Sequence, residues 1–307
     1  MLLHLFILNP EAGVKNPVEE ATRRIKDAFI LNTHREDEKY EIVLTKKRGD
    51  ATEIVKRACE NNPGFLRIYP CGGDGTIHEA VCGAVGAKNT VICPIPVGSG
   101  NDFIRYFEAI PKGNFLNVNA MLRAKDVPCD VLQCGEQYAV NNISVGLDAI
   151  TCLRQHKVKK LPLVTGGAAY KLALGYSFLS AMKNPIRFEL DSEPVVIGDG
   201  NVTLAVAGNG KFYGGGFKAT PLARIDDGLM DFCTVPTMSQ LEFLKYVGDY
   251  KAGKHLKTMP TVYYRKCKKI KMLSDKPIVM QADGEVFTVE NPEIEILPSA
   301  IRLGIPD

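Results

Sequence analysis

The turn Gly72-Gly73-Asp74-Gly75-Thr76 has the residue types best suited to chemistry. It follows an apolar, strand-like run, Leu66 to Pro70, and leads into a helix-like run, Thr76 to Val85. Glycines let the main chain approach an anion closely, and the first amides of a helix point outward without intrahelical partners. Thr76 is expected to cap that helix, whereas the carboxylate of Asp74 would repel phosphate unless a metal ion or a network of donors lay between them. The turn therefore predicts a site for nucleotide phosphate with Mg²⁺, with a plain tight turn as the alternative.

Two further strand-like runs also end in polar glycine turns. The run Thr90 to Pro96 leads into Gly98-Ser99-Gly100-Asn101-Asp102-Phe103. Leu2 to Leu8 is almost wholly apolar, as expected of a strand covered on both faces, and Asn9-Pro10-Glu11-Ala12-Gly13 follows it, with Lys15 close behind. Open α/β sheets bind ligands outside the carboxyl ends of their strands, so these turns predict a ligand crevice at one edge of a parallel sheet.

Five motifs, taken in chain order, resemble the diacylglycerol kinase catalytic-domain family. That family includes the bacterial soluble lipid kinases and the sphingosine kinases, and it is more distantly similar to NAD kinases and phosphofructokinases. Gly-Gly-Asp-Gly-Thr alone does not separate these relatives, but the ordered set favours the lipid kinases, and it covers nearly the whole chain. The motifs are Asn9-Pro10-x-x-Gly13, Gly72-Gly73-Asp74-Gly75-Thr76, Gly98-Ser99-Gly100-Asn101-Asp102-Phe103, Asp226-Asp227-Gly228-Leu229-x-Asp231 and Asp283-Gly284-Glu285.

The resemblance implies a nucleotide site built from the three glycine turns. It places Asp102 and Asp130 with Asp74 in a network of water and Mg²⁺. Lys15 is alternatively a solvated loop lysine, and Arg105 alternatively forms an ion pair on a helix surface. Asp50 is a good helix cap, so the turn after Thr45 is partly structural on this interpretation. The nucleotide-contacting residues implied are Asn9, Pro10, Gly13, Lys15, Thr45, Gly72, Gly73, Asp74, Gly75, Thr76, Ser99, Asn101, Asp102 and Arg105.

Two acidic motifs late in the chain carry the remaining chemistry. By resemblance, Asp227 holds a structural Mg²⁺ with the main-chain carbonyls of Arg224 and Leu229, since oxygen ligands suit a hard cation. Glu285 is the candidate general base for the acceptor hydroxyl. Both motifs contain Asp-Gly, so a hairpin turn is the structural alternative for each. The apolar, glycine-rich segment Gly208 to Gly216 would suit a lipid tail near the acceptor pocket.

The order of strand-like and helix-like runs predicts two domains. Alternation up to about residue 129 predicts an α/β domain with parallel strands, and short strands over 130–297 predict a mostly antiparallel β domain. The resemblance implies that the first domain binds the nucleotide and the second binds the lipid acceptor. A helical hairpin at about Leu161 to Lys183 and a helix from Met238 to Ala252 interrupt the second pattern. The resemblance implies an NAD kinase-like or diacylglycerol kinase-like fold, α/β plus a C-terminal β-sandwich, with the active site in the cleft between the domains and residues 298–307 returning to the first.

Composition favours a globular protein with free thiols. The 307 residues fit two domains, with 45% apolar and 24% charged residues. Nine dispersed cysteines without a Cys-x-x-Cys pair, and five dispersed histidines, argue against a zinc site or a disulfide framework. No signal peptide is evident, which predicts a cytoplasmic location. A net charge of +3 is too small to indicate nucleic acid binding.

Two basic clusters, Arg154 to Lys160 and Arg265 to Lys271, are either solvated faces or points of attraction to anionic headgroups. The second interpretation predicts transient peripheral membrane association.

These observations predict an ATP-dependent and Mg²⁺-dependent lipid kinase that phosphorylates the hydroxyl of diacylglycerol or a related lipid alcohol. Asp74 would organise Mg²⁺ and Glu285 would accept the proton. The alternatives are an NAD kinase-like enzyme, or a lipid- or nucleotide-binding protein without turnover. The acceptor lipid, the preference for ATP over GTP and the oligomeric state stay open, with a homodimer as one option.

Overall fold

The computed structural model describes residues 2–13, 17–31, 38–158, 175–178 and 180–307, and the chain divides into two compact units. The first unit comprises Met1–Val131 and Pro298–Asp307, and the second comprises Leu132–Leu297. The chain thus leaves the first unit once and returns to it for its last ten residues.

The first unit is a parallel α/β layer. Its strands follow the order β4-β3-β1-β2, with β5 paired to β3, and every pairing is parallel. Short helical segments, including a 3₁₀ turn at Ile104–Tyr106, follow β5. The elements are β1 (Leu2–Leu8), α1 (Pro17–Leu31), β2 (Glu38–Leu44), α2 (Asp50–Asn61), β3 (Phe65–Gly72), α3 (Asp74–Ala84), β4 (Thr90–Ile92), β5 (Ile95–Pro96), α4 (Lys112–Leu116), α5 (Val118–Leu122) and the start of β6 (Lys125–Cys134).

Burial on both faces explains the unbroken apolar run of β1. Leu5, Phe6, Ile7 and Leu8 are all buried, although their side chains alternate between the two faces of the sheet. The ring of Phe6 stacks on Tyr69 of β3, with ring centroids 4.2 Å apart. The sheet is therefore covered on both sides, which leaves its strand ends as the accessible edge.

The second unit contains two mainly antiparallel sheets. One has the order β14-β13-β12-β8-β16-β17, with β9 on β12; in the other, β11, β10, β15 and the start of β18 lie side by side. The end of β18 returns to the first unit, where Leu303 lies parallel to Ile92 of β4. The elements are β7 (Gln137–Ala139), β8 (Asn142–Gly146), α6 (Leu147–Val158), β9 (Asn184–Pro185), β10 (Arg187–Leu190), β11 (Glu193–Val195), β12 (Asn201–Gly208), β13 (Met230–Pro236), α7 (Gln240–Lys251), α8 (His255–Thr258), β14 (Tyr263–Cys267), β15 (Lys269–Leu273), β16 (Ile278–Ala282), β17 (Glu285–Val289) and β18 (Glu293–Ile305).

The inner faces of these two sheets form one apolar core. Phe188 of β10 and Phe232 of β13 are fully buried, with ring centroids 5.0 Å apart. This packing of sheet on sheet is a β-sandwich. The predicted fold class, an α/β unit followed by a mostly antiparallel β-sandwich, is confirmed.

Local details differ from the sequence prediction. Neither predicted cap is correct: Gly73 and Gly49 occupy the N-cap positions of α3 and α2, so Thr76 and Asp50 lie inside their helices. Strand β7 ends at Ala139 and β8 begins at Asn142, so two residues separate these short strands.

Helix α6 was not predicted, and the predicted hairpin at 161–183 is only partly visible. Residues 175–178 and 180 are helical, whereas 159–174 and 179 lie outside the described residues. Within the described ranges, no helix is both long enough and apolar enough to cross a membrane.

Candidate active site

Two of the predicted glycine turns pack against each other through their main chains. The N–H of Gly98 donates to the carbonyl of Gly72, and the N–H of Asp74 donates to that of Gly100, both at 3.0 Å. A Cβ on Gly98 would lie 2.4 Å from the Cα of Gly73, and a Cβ on Gly73 would lie 2.9 Å from the carbonyl oxygen of Gly100. Only glycine allows this approach at both positions.

The carboxylate of Asp74 fixes the second turn to the first. Its Oδ2 accepts the main-chain N–H of Asp102 at 2.8 Å, and its Oδ1 accepts that of Phe103 at 3.2 Å. The buried Asp102 in turn accepts the Nε–H of the exposed Arg105 at 3.1 Å. Arg105 therefore forms the helix-surface ion pair that the sequence left as an alternative, and its contact with phosphate stays a prediction.

The third glycine turn joins these two at the same sheet edge. Asn9 donates from its side chain to Oγ1 of Thr76 at 3.2 Å and from its main chain to the carbonyl of Cys71 at 3.1 Å. Gly13 has a φ of 90°, and a Cβ there would lie 2.9 Å from the carbonyl oxygen of Val97. The three turns thus meet as predicted, whereas Lys15 lies outside the described residues.

Two other predicted site residues, Asn101 and Asp130, are also buried. Asn101 donates to the carbonyl of Gly98 at 2.7 Å, while its own Oδ1 is buried without a hydrogen-bond partner in the part of the chain that the structure describes. Asp130 accepts the N–H of Ser299 at 2.7 Å and so holds the start of the returning strand. Ser99 is exposed and Asp130 is buried. The contact of Ser99 with the nucleotide and the part of Asp130 in a Mg²⁺ network stay predictions.

A glutamate that the sequence analysis missed ties the Thr45 turn to α3. Glu79 accepts the main-chain N–H groups of Gly49 at 2.8 Å and Ala51 at 3.1 Å. Asp50 accepts those of Lys46 at 2.7 Å and Lys47 at 3.2 Å, so its carboxylate shapes the turn rather than capping the helix. Helix α3, which begins at the Gly72–Thr76 turn, therefore also holds the start of α2.

The Asp283-Gly284 pair forms a two-residue hairpin turn between β16 and β17. Both residues have positive φ, 49° and 93°, as a type I′ turn requires. The Asp283 carboxylate also accepts three main-chain N–H groups across the sheet, those of Val140 at 2.8 Å, Asn141 at 3.2 Å and Asn142 at 2.8 Å. These three bonds explain why the chain between β7 and β8 is not part of either strand.

The same hairpin positions both Glu285 and the glycine-rich segment. Glu285 is half-buried at the start of β17, opposite Ala282. Asn141, held by Asp283, accepts the N–H of Gly210 at 2.9 Å and donates from its side chain to the carbonyl of Phe212 at 2.6 Å. Asn141 and Asp283 were missed as positioning residues, and the Asp-Gly pair was the only sequence signal for them.

The Asp227 loop binds a lysine instead of presenting a free carboxylate. Lys266 Nζ lies 2.8 Å from Oδ2 of Asp227 and 2.8 Å from Oδ2 of the fully buried Asp231, while Asp227 Oδ1 accepts the N–H of Leu229 at 3.2 Å. Arg224 is exposed and pairs with Asp226 at 3.3 Å. A divalent cation here would have to share the Asp227 carboxylate with the Lys266 ammonium, so this set of ligands does not suit Mg²⁺. The structural Mg²⁺ at Asp227 stays a prediction. No group of three or more His, Cys, Asp or Glu side chains among the described residues could hold a metal ion.

An apolar cavity of about 310 Å³ in the second unit contains an unsatisfied carboxyl group. Both oxygens of Asp148 are buried, and neither has a hydrogen-bond partner among the described residues. Burial raises the pKa of Asp148 to about 6, and the nearby hydroxyls of Ser144 and Tyr213 offset only part of that effect. The sequence analysis did not single out Asp148. The cavity walls include Leu147, Phe178, Leu204, Phe217, Phe243 and Val247.

A second cavity, of about 320 Å³, adjoins the glycine turns of the first unit. Gly13, Cys71 and Pro96, which stand at or just after the ends of β1, β3 and β5, line one side of it. Lys112 adds positive charge to its wall, whereas Arg24 pairs there with Glu20 at 2.7 Å. A space of this size beside the glycine turns can accept a flat, partly polar group.

Comparison with known proteins assigns the family. The description "Diacylglycerol kinase catalytic domain" matches residues 4–134, and "YegS C-terminal NAD kinase beta sandwich-like domain" matches residues 141–305. A diacylglycerol kinase of Staphylococcus carnosus is 28% identical over 91% of this chain and 87% of its own length. A probable YegS-like lipid kinase of Chromohalobacter salexigens is 28% identical over 98% of this chain and 92% of its own length.

The fold is shared with solved structures as well. The crystal structure of a putative diacylglycerol kinase from Bacillus anthracis superposes with a TM-score of 0.71 at 22% identity, covering 99% of this chain and 96% of that one. Since the two family models together match both units, and the second alone matches more than half of the chain, this protein belongs to the diacylglycerol kinase catalytic-domain family of lipid kinases.

Proposed function

We propose that this protein transfers the γ-phosphoryl group of ATP to the hydroxyl of diacylglycerol or a related lipid alcohol, with Mg²⁺ as the accompanying cation. The first unit binds the nucleotide and the second binds the acceptor lipid. The observation that carries the proposal is the close packing of the Gly72–Thr76 and Gly98–Phe103 turns, because it produces a glycine cradle at the carboxyl ends of parallel strands.

Positioning is the main task of this cradle, since phosphoryl transfer asks the protein chiefly to align donor and acceptor and to stabilise charge. Asp74 holds the main chain of Asp102 and Phe103 in place. The amides at the start of α3 form the positive end of its helix dipole, which favours phosphate. The adjoining cavity, with Arg24 and Lys112 in its wall, accommodates the rest of the nucleotide.

Mg²⁺ fits the first unit better than the Asp227 loop. Asp74 supplies the ligand type that Mg²⁺ uses together with substrate phosphates, which it usually contacts alongside only one or two carboxylates. Asp102, like Asp227, already pairs with a cationic side chain, that of Arg105. When bound, the ion would neutralise the developing phosphate charge. At Asp227 the ammonium of Lys266 already supplies the positive charge.

The acceptor side depends on Glu285 and the apolar cavity. Glu285 takes the proton of the acceptor hydroxyl as that oxygen bonds to the γ-phosphorus, while the bond from the γ-phosphorus to the bridging oxygen breaks and ADP leaves. The hairpin turn at Asp283 fixes its main chain and, through Asn141, the glycine-rich segment. The cavity bounded by Phe178, Phe243 and their neighbours receives an acyl chain, which favours a lipid over a dinucleotide acceptor.

The test incubates the protein with γ-labelled ATP, Mg²⁺ and a panel of lipid alcohols in mixed micelles, with NAD as a separate acceptor. We expect label in a lipid, and a loss of about 100-fold or more in Glu285→Gln, since a general base typically contributes 10²- to 10⁴-fold. Thermal unfolding of the variant, unchanged from the wild type, would separate lost chemistry from lost folding. Label in NAD alone would establish the NAD kinase alternative. Saturable ATP binding without any labelled product would indicate a binding protein.

A further inference from the structure

Exposed apolar side chains gather at the rim of the acceptor cavity. Leu241 and Leu244 of α7 are 80% and 57% exposed, and Tyr176 is 63% exposed. Leu244 is also part of the cavity wall, so it lies at the opening, and Leu241 is three residues before it on the same helix face. Among the described residues of the second unit, only two other large hydrophobic side chains, Val196 and Leu222, are so exposed.

Tyr176 belongs to the same surface because its neighbours close the cavity from the other side. Gly175 and Phe178 line the cavity, the ring of Phe178 lies 5.6 Å from that of Phe243, and Gln240 donates to the carbonyl of Phe178 at 3.3 Å. We call Tyr176, Leu241 and Leu244 the apolar rim.

Cations surround the apolar rim. The guanidinium of Arg154 lies 4.3 Å from the ring centroid of Tyr176, and the ammonium of Lys251 lies 5.5 Å from that of Phe217, a cavity wall. Lys245 directly follows Leu244 and is exposed.

The acidic residues of α7 only partly offset these charges. Glu242 accepts the main-chain N–H of Ser239 at 3.0 Å in a capping box at the start of the helix, where the helix dipole stabilises it. Asp249 lies two residues before Lys251 and is half-buried. The balance of exposed charge beside the rim is therefore positive.

We propose that the apolar rim docks on an anionic lipid bilayer, so that the acceptor cavity opens directly toward its substrate. Leu241 and Leu244 enter the boundary between headgroups and acyl chains, Tyr176 lies at the interface, and the neighbouring cations contact anionic headgroups. The inference rests on the proposed lipid acceptor. A bilayer is the occupant favoured here because the rim is continuous with an apolar cavity and because the exposed Lys245 and Lys251 outnumber the exposed Glu242 beside it.

Binding to vesicles, measured by cosedimentation without ATP, tests the docking directly. Vesicles of phosphatidylcholine alone are compared with vesicles that also contain phosphatidylglycerol. We expect the wild type to prefer the anionic vesicles. Leu241→Gln should bind both about tenfold more weakly, since it removes the apolar group that enters the bilayer. Lys245→Gln should weaken only the binding to anionic vesicles, by about fivefold.

Leu222→Gln is the matched control, because Leu222 is a leucine of the same unit with 60% exposure, lies outside the rim and the cavity, and should leave binding unchanged. Equal binding of Leu241→Gln and the wild type, or an equal loss in Leu222→Gln, would overturn the docking surface. A change from dimer to monomer in Leu241→Gln, measured by light scattering, would show instead that a second copy covers the rim, and would overturn the bilayer as its occupant.

Activity on a dispersed acceptor keeps this proposal separate from the kinase assignment. With a short-chain lipid alcohol below its critical micelle concentration, Leu241→Gln should match the wild type, whereas its activity on vesicle-borne lipid should fall with binding. If the wild type phosphorylates the dispersed acceptor but does not bind vesicles, the docking proposal is refuted and the proposed kinase function stands. Absence of phosphorylation with every acceptor would refute the proposed function, whatever the vesicles show.

Discussion

Asp283 and Asn142 are hydrogen-bonded to each other twice. The Asp283 carboxylate accepts the main-chain N–H of Asn142 at 2.8 Å, and the main-chain N–H of Asp283 donates to the carbonyl of Asn142 at 3.0 Å. This pair connects the hairpin that carries Glu285 to the start of β8. Asn141, just before β8, donates from its side chain to the carbonyl of Phe212 in the glycine-rich segment. The candidate base and the candidate acceptor loop therefore depend on one aspartate.

Replacing Asp283 by Ala should destabilise the protein by about 2–4 kcal/mol, since three main-chain donors lose a charged acceptor and alanine disfavours the positive φ. Asp283→Asn keeps an acceptor oxygen and tolerates that φ, so its loss should be smaller. Urea unfolding followed by circular dichroism measures both. Equal free energies of unfolding for Asp283→Ala and the wild type would contradict the role given to these bonds.

Replacing Asp74 by Asn should reduce kinase activity by about 100-fold or more, because the amide accepts through only one oxygen and removes a charge beside the phosphates. Asp191→Asn is the matched control: its carboxylate likewise accepts two main-chain N–H groups, those of Lys268 at 2.9 Å and Lys269 at 3.0 Å, far along the chain. Steady-state rates with saturating ATP measure the difference. Similar losses in both variants would mean that Asp74 acts on stability alone.

Gly98→Ala should weaken ATP binding by tenfold or more, about 1.4 kcal/mol. Its Cβ would lie 2.4 Å from the Cα of Gly73 and would force the two turns apart. Gly113→Ala, at a glycine with no atom within 4 Å of the added Cβ, controls for the substitution itself. Calorimetric titration with ATP and Mg²⁺ gives both affinities, and undiminished binding by Gly98→Ala would exclude the cradle as the phosphate site.

Lys266→Met should lower the free energy of unfolding by about 2 kcal/mol at pH 8, because the fully buried Asp231 loses its cation. Burial raises the pKa of Asp231 and Lys266 opposes that rise, so the variant carboxyl should become protonated more readily. A carboxyl group with a raised pKa in the folded state stabilises the protein at low pH and loses that contribution as pH rises. The deficit of Lys266→Met should therefore shrink from pH 8 to pH 5.

Thermal unfolding of the wild type tests the assignment of a structural Mg²⁺ to Asp227. If the ammonium supplies the charge at Asp227, then the unfolding temperature of the wild type should be equal in Mg²⁺ and in EDTA. A clear fall in EDTA would instead support the structural Mg²⁺ that the resemblance implies for Asp227.

Asp148→Asn should be more stable than the wild type at pH 8, by about 2–3 kcal/mol, as a buried neutral amide replaces a buried charge. The pKa of Asp148 is raised to about 6, so its contribution to stability is present below about pH 4 and is lost as pH rises through 6. The gain in Asp148→Asn should therefore appear between pH 4 and pH 7. A difference that does not change with pH would show that the carboxyl is not buried as a charge.

Sequence patterns located the regular elements because the causes of those elements are local. The apolar run of β1 gave the observed bounds, Leu2–Leu8. The order of strand-like and helix-like runs likewise predicted the α/β unit and the mostly antiparallel second unit, whereas the β-sandwich was implied by the resemblance. Helix caps were predicted wrongly, since glycine in a suitable backbone conformation served where a threonine or aspartate side chain was expected.

The sequence by itself determined the fold class, the strand ends that carry polar glycine turns, and the motifs that resemble a lipid kinase. Only the tertiary structure decided what each polar side chain binds. The Asp74 carboxylate accepts main-chain N–H groups 28 and 29 residues away, and the Asp283 carboxylate accepts that of Val140. Lys266 forms an ion pair with Asp227, which the resemblance had assigned to a metal ion. Periodicity and propensity depend on neighbours along the chain, whereas a carboxylate bonds to whichever donors the packed strands bring within about 3 Å. That is also why the buried carboxyl of Asp148 and the apolar rim beside its cavity could not be seen in the sequence.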